Sequence, residues 1–464
     1  MAKTFDVVVL GAGPGGYVAA IRASQLGKKV AIVEADKLGG VCLNRGCIPT
    51  KALLKSAHSV HELADFKSLG INVDLKGLDG SVAVKRANVI ADNMSKGIAF
   101  LMKKNKIEVF NGKGVFKSAK TIEVTLANGT KEELNTTNTI IATGAHYRSF
   151  PGLEHNGKRL IGAWEALKLE NLPKSIGIVG AGAIGVEFAY FWNSFGVDVH
   201  IFEMQKNLLP IEDTDSSKEV EKAYKKYGIK MSLGIEGITA KDNGKDVTFS
   251  VKEGGKNVDY KFDYGLIAVG MTGNIDGFGL EKAGVQTEKG FIKVNDMYET
   301  TTKGIYAIGD VAGPPLLAHA ASHEGVTAAE HLAGKHPHAI DKMNIAGCTY
   351  CQPQVASVGY TERALQEKGI EYNVGKAPFM ANGKAIASNE NTGFIKVLTG
   401  KKYGELLGAH IVGTQATELI HEYVLFRTME GIDEEIFATI HPHPTLGEWL
   451  GEAVLAAKGR ALNL

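Results

Sequence analysis

Twice in this chain a short β-branched run ends in a glycine loop, passes into a helical stretch and returns as a strand that closes on a glutamate. The first copy runs Phe5–Leu10, Gly11-Ala12-Gly13-Pro14-Gly15-Gly16, a helix over Tyr17–Leu26 closed by Gly27, then Lys29–Glu34. The second runs Ser175–Val179, Gly180-Ala181-Gly182-Ala183-Ile184-Gly185, a helix through Phe195, then Val197–Glu203, with the same separation from first glycine to final acid. One such loop could be only a tight turn. Two in register, each between strand and helix and each with its acid, predict two dinucleotide-binding units. The chemistry needs these residue types: Gly11 makes the turn, Gly13 lets a pyrophosphate approach the backbone, and Gly16 brings helix and strand together. Gly180, Gly182 and Gly185 repeat the pattern. Phosphates meet the helix N-terminus, and Glu34 is placed to accept from ribose hydroxyls.

Between the copies, Thr139-Ile140-Ile141-Ala142-Thr143-Gly144 reads as a strand running into a glycine turn, and Leu266–Gly270 resembles it after the second copy. Each marks a return to its sheet. Residues from about 53 to 105 carry helical patterning. Pro151-Gly152 and Pro173 flank the passage into the second unit. Thr301–Gly309 reads as a further strand, followed by Asp310, which fits a nucleotide site but equally a turn or a helix N-cap. Gly313-Pro314-Pro315 breaks the chain before a helix containing His319 and Glu324, and from Thr349 onward turn-separated strands and then helices suggest a separate C-terminal domain. The expected architecture is α/β: two Rossmann-like dinucleotide-binding domains and a C-terminal α+β domain. The boundaries expected are 1–150, 151–275, a central segment 276–345 that completes the first site, and 346–464.

With 464 residues, the chain is too long for a single ordinary core. Lys plus Arg, 52, balance Asp plus Glu, 51, with no long basic run, so no nucleic acid and no acidic membrane surface is expected as partner. The four cysteines are too few for a secreted disulfide scaffold. The apolar start is interrupted by Asp6 and the glycine run and has no span of membrane length. A cytoplasmic location follows as the expectation, and a disulfide in such a compartment is usually catalytic.

Cys42 and Cys47 stand in Gly40-Val41-Cys42-Leu43-Asn44-Arg45-Gly46-Cys47-Ile48-Pro49-Thr50-Lys51, beside the first loop. Five residues of straight helix rise about 7.5 Å, whereas bridged cysteines need Cα atoms within roughly 7 Å. A bridge therefore requires a distorted segment, which Gly46 permits, while Pro49 fits the first turn of a regular helix. So small a disulfide loop adds little stability and is better suited to opening and closing. Two unlinked buried thiols satisfy the same residues.

Near the C-terminus, prolines on both sides of His443 in His441-Pro442-His443-Pro444-Thr445 hold an extended backbone. Thr445-Leu446-Gly447-Glu448 has the capping-box pattern for a helix through Ala457. Glu448 is thus either a cap or the orienter of an imidazole that moves protons near pH 7. Cys348-Thr349-Tyr350-Cys351 is half a zinc site at best and reads as structural thiols, with no metal expected.

Together these elements resemble the pyridine nucleotide-disulfide oxidoreductase family, over the whole chain and in order. The resemblance implies FAD on the first loop, NAD on the second and a redox-active Cys42–Cys47 disulfide. It implies that Glu34 binds the adenosine ribose, that Lys51 lies by the flavin and pairs with Glu187, and that Gly114 and Ala142, Thr143 and Gly144 line the FAD path. Asp310 would meet the ribitol chain, and Leu316, Leu317, Ala318 and His319 would close over the flavin. Gly180 to Gly185, Glu203, Ile235 and Gly270 would hold NAD, with Glu203 disfavouring a 2′-phosphate. The C-terminal domain would form a homodimer interface and lend His443, oriented by Glu448, to the second copy's cysteines. The implied reaction oxidises dihydrolipoamide carried on the lipoyl domain of a 2-oxo acid dehydrogenase complex or on a glycine cleavage carrier. An NADPH-dependent glutathione-type reductase and a non-catalytic flavoprotein component are the alternatives. Pro353-Gln354 departs from the Pro-Glu of many relatives.

Overall fold

The first β-branched run becomes the strand Lys3–Leu10, in which Val7, Val8 and Val9 are fully buried, as expected where a parallel sheet is covered on both faces. Val30–Glu34 pairs on one side and Lys131–Ile141 on the other, both parallel. Ile305–Ala307 extends the sheet past Lys131–Ile141, and Glu108–Ser118 extends it past Val30–Glu34. Glu108–Ser118 then turns through Thr121–Leu126 into Lys131–Ile141 as an antiparallel meander. This computed structural model describes residues 2–74 and 76–464.

Pro14 opens the first helix, Pro14–Gln25, where its missing N–H costs no bond. That helix crosses Ala318–Leu332 closely, because a Cβ on Gly325 would lie 2.6 Å from the Gly15 carbonyl oxygen. The segments Met1–Ala52, Val84–Arg148 and Gly270–Ile340 form one compact unit; Leu53–Ala83, Ser149–Val269 and Asp341–Leu464 form the other.

In the second unit a parallel sheet repeats the first motif, with Lys230–Leu233, Asp198–Glu203, Ser175–Val179, Tyr264–Ile267 and Leu160–Ile161 as neighbours in that order. The C-terminal segment builds a five-stranded antiparallel sheet from Gly347–Thr349, Gln354–Gly359, Leu406–Gly413, Phe394–Gly400 and Tyr372–Pro378. Helices Ala416–Thr428 and Glu448–Ala457 contribute Ile420, Tyr423, Trp449 and Leu450 to the same core as Ile395, Val397 and Ile411.

Two expectations change in detail. The helical patterning over 53–105 resolves into Cys47–Asp65 and Gly80–Lys104. Between them Gly70 and Gly77 take positive φ, which ends a right-handed helix, and Leu75 lies outside the described residues. The strand expected from Thr301 is only Ile305–Ala307, since Ile305 N–H bonds back to Thr302 and Gly304 takes φ +80°.

Candidate active site

Both glycine loops are built alike. A Cβ on Gly11 would meet the Ala142 carbonyl oxygen at 2.2 Å, and one on Gly180 would meet that of Ala268 at 2.3 Å. A Cβ on Gly16 or Gly185 would lie 2.0 Å from the oxygen of its own loop's first glycine. The fold itself thus demands the first and third glycines. The middle ones differ: a Cβ on Gly182 would have no atom within 4 Å, and one on Gly13 only the Gly40 Cα at 4.0 Å. Gly13 and Gly182 leave room on the outer face of the turn, at the start of helices Pro14–Gln25 and Ala183–Ser194, which is where a phosphate group is held.

The two acids also correspond. Glu34 accepts from Ala12 N–H at 2.7 Å and from Asp36 N–H at 2.9 Å; Glu203 accepts from Ala181 N–H and Gln205 N–H, both at 2.8 Å. Each carboxylate pins its own loop. Burial raises the Glu34 pKa, although the backbone donors act against it.

The cysteine segment sits on the first loop. Gly39 N–H donates to Ala12 O at 2.8 Å, and a Cβ on Gly40 would strike the Gly13 Cα at 2.6 Å. Cys42 lies in a short helix, Gly40–Arg45; Gly46, at φ −144° and ψ −111°, breaks it, and Cys47 starts the helix Cys47–Asp65. This kink is the distortion that the spacing requires. It brings the two partly buried cysteine side chains together. The neighbouring Cys47 sulfur, and then burial, raise the pKa of Cys42 strongly, while Lys51 acts in the opposite sense.

Sequence reasoning missed three supporting residues. Asn44 ties the segment by donating to the Leu38 and Gly40 carbonyls at 3.1 and 2.9 Å. Tyr17 packs close enough for Cys42 to add to the burial that raises its pKa. Asn274 braces the turn Ala142-Thr143-Gly144, exchanging side-chain and backbone bonds with Thr143. No motif marks these residues: Asn44 bonds to nearby backbone carbonyls, and Tyr17 and Asn274 meet their partners only in the fold.

Asp310 lies in a short 3-10 turn after the strand Ile305–Ala307 and does not cap it. Its carboxyl is partly buried, burial raises its pKa, and it has no side-chain partner among the described residues. Leu316 and Leu317 lead into the helix that Ala318 and His319 begin. Gly114 sits against Leu10 and Val33 in the sheet, Ile235 is buried with its N–H on the Glu203 carbonyl, and Gly270 takes φ +107°. Glu187 is buried and accepts from Tyr350 N–H at 2.9 Å. Cys351 is buried and donates to the Pro353 carbonyl, and Cys348 packs on the C-terminal core.

In the C-terminal segment His443 is exposed, and its Nδ1 lies 2.9 Å from Glu448. The other Glu448 oxygen accepts from Thr445 N–H at 2.8 Å. Glu448 thus contacts both the imidazole and the Thr445 backbone, while the helix itself is capped at Gly447 with no side-chain cap bond. Burial pushes its pKa up, but the Thr445 N–H and His443 more than offset this, so it stays below its usual value. Among the described residues, the one group of acids close enough to hold a metal, Asp213, Asp215 and Glu362, encloses the Lys396 ammonium instead.

Residues 5–325 match the family described as pyridine nucleotide-disulphide oxidoreductase, and residues 345–454 match that family's dimerisation domain. The chain belongs to this family. It is 44% identical to a dihydrolipoyl dehydrogenase of Zymomonas mobilis and 42% identical to one of Bacillus subtilis, covering 100% of each chain in both cases. Its fold is similar to that of LpdA from Mycobacterium tuberculosis, with TM-score 0.90 and 25% identity over 98% of this chain and 99% of that one. The flavoprotein disulfide reductase RclA from Escherichia coli superposes with TM-score 0.87, also at 25% identity, over 98% and 99% of the two chains. FAD and NAD(H) are the cofactors of such an enzyme. The open faces at Gly13 and Gly182 and the unpartnered Asp310 carboxyl fit two dinucleotides. Among the described residues no helix is long and apolar enough to cross a membrane.

Proposed function

We propose that this protein reoxidises dihydrolipoamide carried on a lipoyl domain, of a 2-oxo acid dehydrogenase complex or of the glycine cleavage system, and reduces NAD⁺ to NADH. It works as a cytoplasmic homodimer. The observation that carries this reading is the Cys42–Cys47 pair, held together by the Gly46 kink and seated on the first glycine loop. Gly11, Gly13, Gly16, Glu34, Lys51, Gly114, Ala142 to Gly144, Asp310 and Leu316 to His319 would hold FAD. Gly180, Gly182, Gly185, Glu203, Ile235 and Gly270 serve the NAD side.

His443, lent by the second copy in the dimer, takes a proton from one substrate thiol, because only a thiolate attacks a disulfide. Glu448 fixes the ring through Nδ1, which leaves Nε2 for that proton. The substrate sulfur bonds to Cys42, and Cys47 departs as a thiolate. The second substrate thiol then displaces Cys42, closing the lipoamide disulfide and leaving the protein with two reduced cysteines. The remaining proton stays with Cys42 and the negative charge with Cys47. Bound FAD supplies the two-electron relay from this dithiol to NAD⁺, which restores the disulfide and releases one proton overall. Glu203, a carboxylate at the end of its strand, disfavours a 2′-phosphate and so NADP.

Anaerobic titration of the flavin-loaded protein with dihydrolipoamide tests the reading. A long-wavelength absorption band from the Cys47 thiolate beside the flavin is the expected result, with faster turnover on NADH than NADPH in the reverse direction. No such band, or a strong NADPH preference, would overturn it.

A further inference from the structure

Asn274 commits all four of its polar groups to one short turn. Its N–H donates to Gly144 O at 2.9 Å and its carbonyl accepts from Thr143 Oγ1 at 2.9 Å. Its Nδ2 donates to Thr143 O at 2.8 Å, and its Oδ1 lies 2.7 Å from His146 Nδ1. The Thr143 carbonyl can only accept, so the amide nitrogen must face it. The amide oxygen then faces His146, whose Nδ1 carries the proton. Asn274 is itself anchored, because it follows Met271–Gly273, which pairs antiparallel with Ala145–Tyr147, and Gly273 N–H is held by Gly290 O at 3.1 Å.

The braced turn abuts the first glycine loop. A Cβ on Gly11 would lie 2.2 Å from the Ala142 oxygen and 3.3 Å from the Thr143 Cα. Gly144 takes φ +73°, a conformation that costs other residues strain. The N–H groups of Thr143 and Gly144 have no hydrogen-bond partner among the described residues. Two unspent backbone donors therefore stand next to the loop, on a turn whose Thr143 carbonyl is engaged by the Asn274 side-chain amide and whose Gly144 carbonyl is engaged by the Asn274 backbone N–H.

We infer that Asn274, with His146 behind it, is a positioning residue that fixes the Thr143–Gly144 peptides so that their N–H groups donate to acceptor atoms of bound FAD. The inference rests on the placement of FAD at the first loop. It adds a residue that the glycine motif does not contain and assigns it a specific task. Asparagine is required because the site needs a donor toward Thr143 O and an acceptor toward His146 on one planar group. Aspartate supplies two acceptors and would set a carboxylate oxygen against the Thr143 carbonyl.

The test uses the purified flavin-loaded full-length protein and three variants, Asn274→Asp, Thr143→Val and His146→Ala. Flavin release is followed by the fluorescence of freed FAD, and the environment of bound FAD by visible circular dichroism. Asn274→Asp and Thr143→Val should each speed release about fivefold to thirtyfold, the range that one or two lost hydrogen bonds give, and each should alter the visible dichroism. His146→Ala should act in the same direction and less strongly. The double variant of Asn274 and Thr143 should release flavin no faster than the worse single variant, since both act through one turn. Wild-type release and dichroism in both Thr143→Val and His146→Ala would overturn the inference, even if Asn274→Asp fails to fold. A wild-type protein that binds no FAD would overturn the underlying placement of the cofactor instead, so the two failures are distinguishable.

Discussion

The Glu448 carboxylate holds His443 Nδ1 at 2.9 Å with one oxygen and Thr445 N–H at 2.8 Å with the other. One side chain at the first position of the last helix, Glu448–Ala457, thereby holds both the backbone just before that helix and an exposed imidazole. Replacing His443 by Gln should lower lipoamide turnover by about two to four decades, the usual size of general-base help, with thermal stability unchanged. Glu448→Gln should lower turnover less and cost about 1 kcal/mol or less in stability, because an amide oxygen can still accept from Thr445. Steady-state rates beside thermal unfolding check both; equal turnover in all forms would reduce Glu448 to a cap.

Gly182 and Gly185 should behave oppositely. Alanine at Gly185 would place a Cβ 2.0 Å from Gly180 O, so Gly185→Ala should unfold at a markedly lower temperature. Gly182→Ala meets no protein atom within 4 Å and should fold normally, yet bind NADH about tenfold or more weakly, since its methyl occupies the phosphate side. Calorimetry and NADH titration separate the two effects.

Lys396 is 1% exposed and bonded to Asp213 at 2.8 Å and to Asp215 at 3.1 Å, with Glu362 as third partner. Its ammonium joins the start of the helix Thr214–Lys226 to the C-terminal sheet. Lys396→Met leaves the buried Asp213 carboxylate uncompensated and should cost about 3–5 kcal/mol. Adding Asp213→Asn should recover part of that loss. Denaturant unfolding measures both, and an undiminished midpoint for Lys396→Met would refute the prediction.

A buried histidine and a half-buried glutamate give stability a pH dependence of opposite sign. Burial lowers the His200 pKa to about 4, so the unfolded chain binds its proton more readily and stability falls as pH drops from about 6.5 through 4. Burial raises Glu212 to about 7, so the folded state holds that proton more tightly and stability falls as pH rises from the ordinary carboxylate range through 7. His200→Phe, in a site already lined by Phe202, Tyr260 and Phe262, should flatten the acid limb. Glu212→Gln should flatten the neutral limb. Melting temperatures from pH 4 to 8 are the measurement.

Much of this molecule is written locally. Each glycine loop, the strand before it and the acid after it form from contacts within one short stretch, so their spacing alone announced two nucleotide units. The Gly46 kink is likewise a property of neighbouring residues. Helix boundaries between residues 65 and 80 and the short strand at Ile305 depended on where glycines took positive φ, which composition does not disclose.

What the sequence determined by itself is the pair of glycine loops and the closely spaced cysteines, because bond geometry and φ preference act over a few residues. Only the tertiary structure decided that Asn274 braces the turn at Thr143 and that Lys396 is enclosed by three acids. Those relationships join groups far apart in the chain, and a polar side chain shows its purpose only when folding sets a particular donor or acceptor within about 3 Å of it.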